Sequence, residues 1–200
     1  MWDNKYSTDE FIYGKKPNDF LASVIGQVPQ GDILCLAEGE GRNAVYLAKQ
    51  GCRVLAVDGS AVGLEKAKRL AAENEVQIET EVADLADFVI APGQWDAIVS
   101  IFAHLPSDIR KSLHRKVVEG LRPGGVLVLE AYTAAQLKLK TGGPPTADMM
   151  MSLENLRQEL KGLDFVHALE LERDIVEGKL HTGRGAVVQV VAVKPVTIQR

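Results

Sequence analysis

The chain has 200 residues, 46 % of them hydrophobic and 25 % charged, which suits one domain with a sizeable core. Its net charge of −4 gives no electrostatic case for a nucleic-acid partner. No apolar run approaches the roughly 20 residues that a membrane helix needs, so no membrane partner is expected.

The polar, acidic start is unlike a secretory leader. Cys35 and Cys52 lie in apolar, strand-like runs and read as buried, reduced thiols. A cytoplasmic location follows as an expectation. The four histidines are scattered without zinc-ligand spacing, so no metal is expected.

In chain order, Pro17 to Val28 reads as a helix, with Phe20, Leu21, Val24 and Ile25 on one stripe. Residues 32–37 read as a buried strand and 42–49 as a helix closed by Gly51. A second buried strand ends at Asp58, and Ser60 caps the next helix. Residues 76–84 alternate as a third strand, and 95–102 form a fourth. A helix from Pro106 and Ser107 to about Leu121 leads through the turn "RPGG" to a fifth strand at 126–132. Residues 134–151 read as a long loop and 152–162 as a helix. Two strand-like runs, 165–176 and 186–196, close the chain.

Strand and helix alternate with short connections, so the expected class is α/β with a parallel, doubly wound sheet. The last two runs are close in sequence and must pair as an antiparallel hairpin. In such a sheet, ligands bind beyond the carboxyl ends of the strands. Those ends carry Glu38 to Asn43, Asp58 to Ser60, Asp84 and Leu85, then Phe102 to Leu105, Tyr132 and the final hairpin turn.

Gly39 to Ala44 satisfies the dinucleotide pattern G-x-G-x-x-G/A. Asp58 suits both hydroxyls of a ribose, and Asp84 an exocyclic amine. Glu38 and Glu40 argue against a pyrophosphate. Two unit charges about 4 Å apart repel by about 4 kcal/mol at an effective dielectric near 20. A nucleoside with cationic ammonium and sulfonium groups removes that conflict, and S-adenosylmethionine is such a ligand.

Four segments carry a resemblance. "LAEGEGRNAVYLA", "AVDGS", "VADLADF" and "GLRPGGVLVLEAYT" resemble, in order, the motifs of class I S-adenosylmethionine-dependent methyltransferases. The lead "WDNKYSTDEFIYGKKPNDFL" and the end "GKLHTGRGAVVQVVAVK" are similar to the tellurite-resistance (TehB-like) branch. The resemblance implies a three-layer Rossmann-like methyltransferase fold, with a seven-stranded sheet ordered 3-2-1-4-5-7-6 and strand 7 antiparallel. It implies a single domain: a lead and helix over 1–29 that could form a lid, a cofactor core over 30–135, and a substrate-side segment over 136–200.

It also implies roles. Gly39 and Gly41 shape the turn, and Glu38 favours the ammonium. Asp58 holds the ribose, Gly59 and Ser60 the adenine edge, and Asp84 and Leu85 the adenine amine and face. Glu40, Asn43 and Phe102 are further candidate cofactor contacts. Arg42 could pair with Glu38 or Glu40, or reach the methionyl carboxylate. His104, His181 and Arg184 are the candidates for the acceptor pocket, with Arg184 orienting an oxyanion and His181 holding a proton. Tyr6, Phe11 and Tyr13 could fold over the cofactor. Plainer roles stay open: a cap or surface position for His104, solvated turn positions for His181 and Arg184, edge packing for the aromatic lead. The expected acceptor is small and soft: a tellurite- or selenite-type oxyanion, or a thiol. A nicotinamide-dependent oxidoreductase and a non-catalytic binder of the same cofactor remain alternatives. Monomer and homodimer are both open.

Overall fold

A computed structural model describes residues 2–179 and 181–196. The elements in order are α1 (Trp2–Tyr6), α2 (Asp19–Ser23), β1 (Asp32–Leu36), α3 (Arg42–Lys49), β2 (Arg53–Asp58), α4 (Ala61–Glu73) and β3 (Glu79–Val82). They continue with β4 (Trp95–Ile101), α5 (Ser107–Gly120), β5 (Leu121–Tyr132), α6 (Gln136–Leu139), α7 (Leu153–Glu159), β6 (Asp164–Val176) and β7 (Thr182–Val193). No helix among the described residues is long and apolar enough to cross a membrane.

The strands form one sheet in the order β3-β2-β1-β4-β5-β7-β6. β1 to β5 pair in parallel, and β7 runs antiparallel to both β5 and β6. This is the Rossmann-like methyltransferase fold. β6 therefore runs parallel to β5, so its carboxyl end joins the same rim. Alternation along the strands divides the core in two. Leu34, Leu36, Ile98, Leu127 and Val190 face α5 and α7 through Leu113, Val117, Leu156 and Leu160. Ile33, Cys35, Ala97, Val99 and Val191 face α2 and α3 through Phe20, Leu21, Ala44 and Leu47.

Four boundaries differ from the sequence reading. The helix expected over 17–28 is five residues of α2, N-capped by the Asn18 side chain, then a 3-10 turn at Ile25–Gln27. Phe20, Leu21 and Val24 are buried as expected, so packing survives the break. The "RPGG" turn lies inside β5 as an irregularity: pairing jumps from Trp95 with Leu121 to Ala97 with Val126, and Gly124 takes φ 82°. The long loop contains α6 and a 3-10 turn at Ala147–Met149. β7 starts at Thr182, so the hairpin turn is tighter than the sequence indicates.

Outside the sheet, Arg110 of α5 binds Glu159 of α7 at 2.9 Å and the carbonyls of Asp148 and Met150 at 2.8 and 3.2 Å. His114 meets the same carboxylate at 2.7 Å. Burial pushes the Glu159 carboxyl up, but His114 and Arg110 outweigh it and hold its pKa at about 2, against an ordinary 4.5. A depressed carboxyl stabilises the fold fully above its unfolded pKa and loses that contribution as pH falls through the folded value. The melting temperature is therefore expected to fall between pH about 4.5 and 2, and Glu159→Gln to flatten that part of the profile. Equal slopes for the two proteins would remove Glu159 from the account.

Candidate active site

The chain proceeds from β1 to β2 on one side and from β4 to β5 on the other, so the crevice between β1 and β4 is the topological switch point. A non-glycine residue in the left-handed region ends each strand there: Ala37 at φ 52° and Phe102 at φ 53°. Such backbone costs about 1–3 kcal/mol per residue and gathers at functional sites.

Glu38 is buried, and one of its oxygens accepts from the N–H groups of Asn43 and Ala44 at 2.9 and 2.8 Å. It thus closes the first turn of α3, where a carboxylate is favoured. Burial nevertheless pushes its pKa up to about 7. Asp58, at the end of β2, accepts from Gly39 N–H at 2.9 Å on one oxygen and from Ser60 N–H at 2.8 Å on the other. Burial raises its pKa as well. Each Asp58 oxygen keeps a free lone pair. Ser60 caps α4 through Gly63 N–H at 3.1 Å. Gly41 takes φ 88°, and a Cβ there would lie 2.5 Å from that of Ala67; this glycine lets α4 approach the turn. Gly59 joins Asp58 to Ser60 at the rim.

Glu40 has partners of its own beneath the N-terminal lead. Its carboxylate pairs with the buried Lys66 and accepts from Tyr13 N–H at 3.2 Å. Lys66 also donates to the carbonyls of Tyr6, Thr8 and Glu10 at 3.3, 2.9 and 2.6 Å. The pair is a clasp for the N-terminal lead. It also weakens the case against a pyrophosphate, because Lys66 cancels one of the two charges. Asn43 is buried, its Oδ1 accepting from Asn18 N–H at 2.9 Å. Arg42 bonds neither Glu38 nor Glu40; its Nη2 donates to Glu177 at 2.6 Å. Asp84 is exposed and accepts from Ala86 N–H at 2.9 Å, and Leu85 is buried in the core on the α5 side.

Five rings, those of Tyr13, Phe102, His104, Tyr132 and His181, meet beyond β4, β5 and β6. His181 stands edge-on to Tyr13 and Phe102, each at 4.6 Å between centroids, and 5.7 Å from Tyr132. Phe102 lies 4.8 Å from Tyr132. Burial drives the His181 pKa down to about 3, with Arg42 adding to the effect, so the ring is neutral. Tyr6 covers the glycine turn: a Cβ on Gly39 would come within 2.5 Å of its hydroxyl. Phe11 sits instead among Lys15, Lys66 and Arg69, outside the crevice.

His104 belongs to this cluster as well, stacked on Tyr132 at 5.5 Å and 6.2 Å from Phe102. Both His104 nitrogens are engaged: Nδ1 with the Met149 carbonyl at 3.1 Å and Nε2 with Tyr132 N–H at 3.4 Å. Burial lowers its pKa to about 4. It ties the loop after β5 to the strand. Arg184 is half exposed and paired with Glu172 and Asp174 at 3.2 and 3.5 Å.

Sequence reasoning missed the buried network beneath the rings. Glu130 of β5 accepts from Arg173 Nε and Nη2 at 2.8 and 2.7 Å, from Gln189 at 2.7 Å and from Asn18 at 2.6 Å. Glu177 accepts from Asn18 at 2.9 Å, Arg173 at 2.8 Å and Arg42 at 2.6 Å. A lone glutamate in the apolar run of β5 was the signal available; Glu177 had none.

Residues 33–125 match the family described as "Methyltransferase domain". Carboxy-S-adenosyl-L-methionine synthase from Vibrio cholerae serotype O1 is 31 % identical over 86 residues, 42 % of this chain and 35 % of that protein. The match thus spans about a third of the length of the curated relative. N-methyltransferase NodS from Bradyrhizobium japonicum WM9, solved with S-adenosyl-L-homocysteine, is similar at TM-score 0.72 and 15 % identity, over 98 % of this chain and 97 % of NodS. TehB from Haemophilus influenzae is similar at TM-score 0.70 and 19 % identity, over 96 % of this chain and 65 % of TehB. At those identities the likenesses establish the fold. The tellurite branch is not singled out among them.

Proposed function

We propose that this methyltransferase domain moves a methyl group from S-adenosylmethionine to a small, soft acceptor, a thiol or a tellurite- or selenite-type oxyanion. One observation carries the reading. The crevice sets the carboxylates of Asp58 and Glu38 beside a ring cluster with no free base: both His104 nitrogens are already hydrogen-bonded, and His181 is buried among the rings, which drives its pKa down to about 3. An acceptor there must bring its own lone pair, which soft anions do.

The residues fit the cofactor. Asp58 is held by two N–H groups with lone pairs to spare for a diol, and buried Glu38 gains from an ammonium group. When bound, S-adenosylmethionine supplies an electrophilic methyl: the acceptor's lone pair forms the new bond as the carbon–sulfur bond breaks, its electron pair staying on the departing sulfur. Tyr6 and Tyr13, clasped through Lys66 and Glu40, exclude water and close the crevice. Much of the rate would come from holding the reactants aligned and dehydrated. The free thiols Cys35 and Cys52 suit a reducing compartment such as the cytoplasm.

Calorimetric titration tests the cofactor, and a screen of tellurite, selenite and small thiols tests the transfer. S-adenosylhomocysteine is expected to bind and NADH not to, with methylated products detected as volatile species. Tight NADH binding without S-adenosylhomocysteine binding would reject the reading. Binding without turnover on any acceptor would favour a sensor of the cofactor.

A further inference from the structure

Two polar atoms at the acceptor end are buried and lack a hydrogen-bond partner among the described residues: Arg42 Nη1 and His181 Nδ1. Both are referred to the same residue. The Glu177 carboxylate holds Arg42 Nη2 at 2.6 Å, and Glu177 N–H donates to the His181 carbonyl at 2.7 Å. Because a guanidinium is a rigid planar fork, fixing Nη2 also fixes the direction of Nη1. Glu177 is itself held by Arg173 and Asn18, so the arrangement is set before any ligand arrives.

A buried donor left unmade is a standing cost, and a ligand that satisfies it recovers that cost. Arg42 can only donate, and neutral His181 donates from Nδ1 in one tautomer. The group that satisfies both is an anion with two acceptor oxygens. Glu177 holds Arg42 toward the β6–β7 turn that carries His181, whereas Asp58 is bonded to Gly39 and Ser60, so this anion belongs to the acceptor. The surrounding Tyr13, Phe102 and Tyr132 suit a short apolar body. We infer that Arg42 and His181 bind the carboxylate of a small thiol acid that serves as methyl acceptor. This rests on the function proposed above.

The test uses the full chain saturated with S-adenosylhomocysteine, with mercaptoacetate, 2-mercaptoethanol and selenite as calorimetric probes. Mercaptoacetate is expected to bind at least tenfold more tightly than 2-mercaptoethanol, and more tightly than selenite. Arg42→Gln should abolish that preference while S-adenosylhomocysteine affinity stays within about twofold. His181→Phe, which keeps the ring packing, should reduce the preference and guards against misfolding of the first variant. No preference in the parent chain, or selenite binding most tightly, overturns the inference. So does an equal loss of S-adenosylhomocysteine affinity in Arg42→Gln, which would assign the anion to the cofactor. If S-adenosylhomocysteine does not bind at all, the proposed function fails, and the carboxylate preference is then read on the free chain.

Discussion

Glu130→Ala is expected to destabilise the fold by about 3–5 kcal/mol, the range for removing one partner of a buried ion pair. Glu130 is fully buried and accepts four hydrogen bonds, two of them from Arg173. Alanine would strand the guanidinium, the Asn18 amide and the Gln189 amide in the protein interior. Of the remaining charge partners, Glu177 is shared with Arg42, and Asp19 is exposed and lies 3.6 Å away. For a domain stable by about 5–15 kcal/mol, such a loss is a large fraction of the whole. Urea unfolding of parent and variant measures it. Replacing both partners, as in Glu130→Leu with Arg173→Met, should recover part of the loss, since paired apolar groups of similar volume remove the desolvation penalty. A change under about 1 kcal/mol for Glu130→Ala would mean that water replaces the missing carboxylate.

Asp58→Ala should weaken S-adenosylhomocysteine binding by about 1–3 kcal/mol, roughly 5- to 150-fold, through lost charge-assisted hydrogen bonds. The same carboxylate accepts from Gly39 N–H and Ser60 N–H, so the variant also loosens the turn that faces the cofactor. Asp58→Asn separates the two effects. It retains an acceptor oxygen for one N–H and removes the charge, and should fall between parent and alanine. Calorimetry gives the affinities, and a thermal melt checks folding. Unchanged affinity in a folded alanine variant would take the ribose role away from Asp58.

Much of the architecture was legible because its signals are local. Apolar runs that alternate with amphipathic stretches reveal strands and helices through side-chain direction, and they located all seven strands to within a few residues. Ser60 was readable as a cap because capping acts over three residues. Asp58 was readable because strand ends in this class of sheet form one rim. The five-residue α2 was not, because neighbouring packing stops a helix that periodicity would continue.

Side-chain partnership was the part that local pattern left undecided. Adjacency to the glycines suggested that Glu40 and Arg42 served the ligand, yet Lys66 claims one and Glu177 the other. Arg42 and Glu177 are 135 positions apart, and Asn18 and Glu177 are 159 apart. The sequence by itself determined the order and type of the elements and the carboxylates that would stand at the rim. The tertiary structure alone decided which charges are neutralised, how each histidine is engaged among the rings, and where Arg42 points. Hydrogen-bond partners are chosen by distance in space, and that distance exists only once the sheet has assembled.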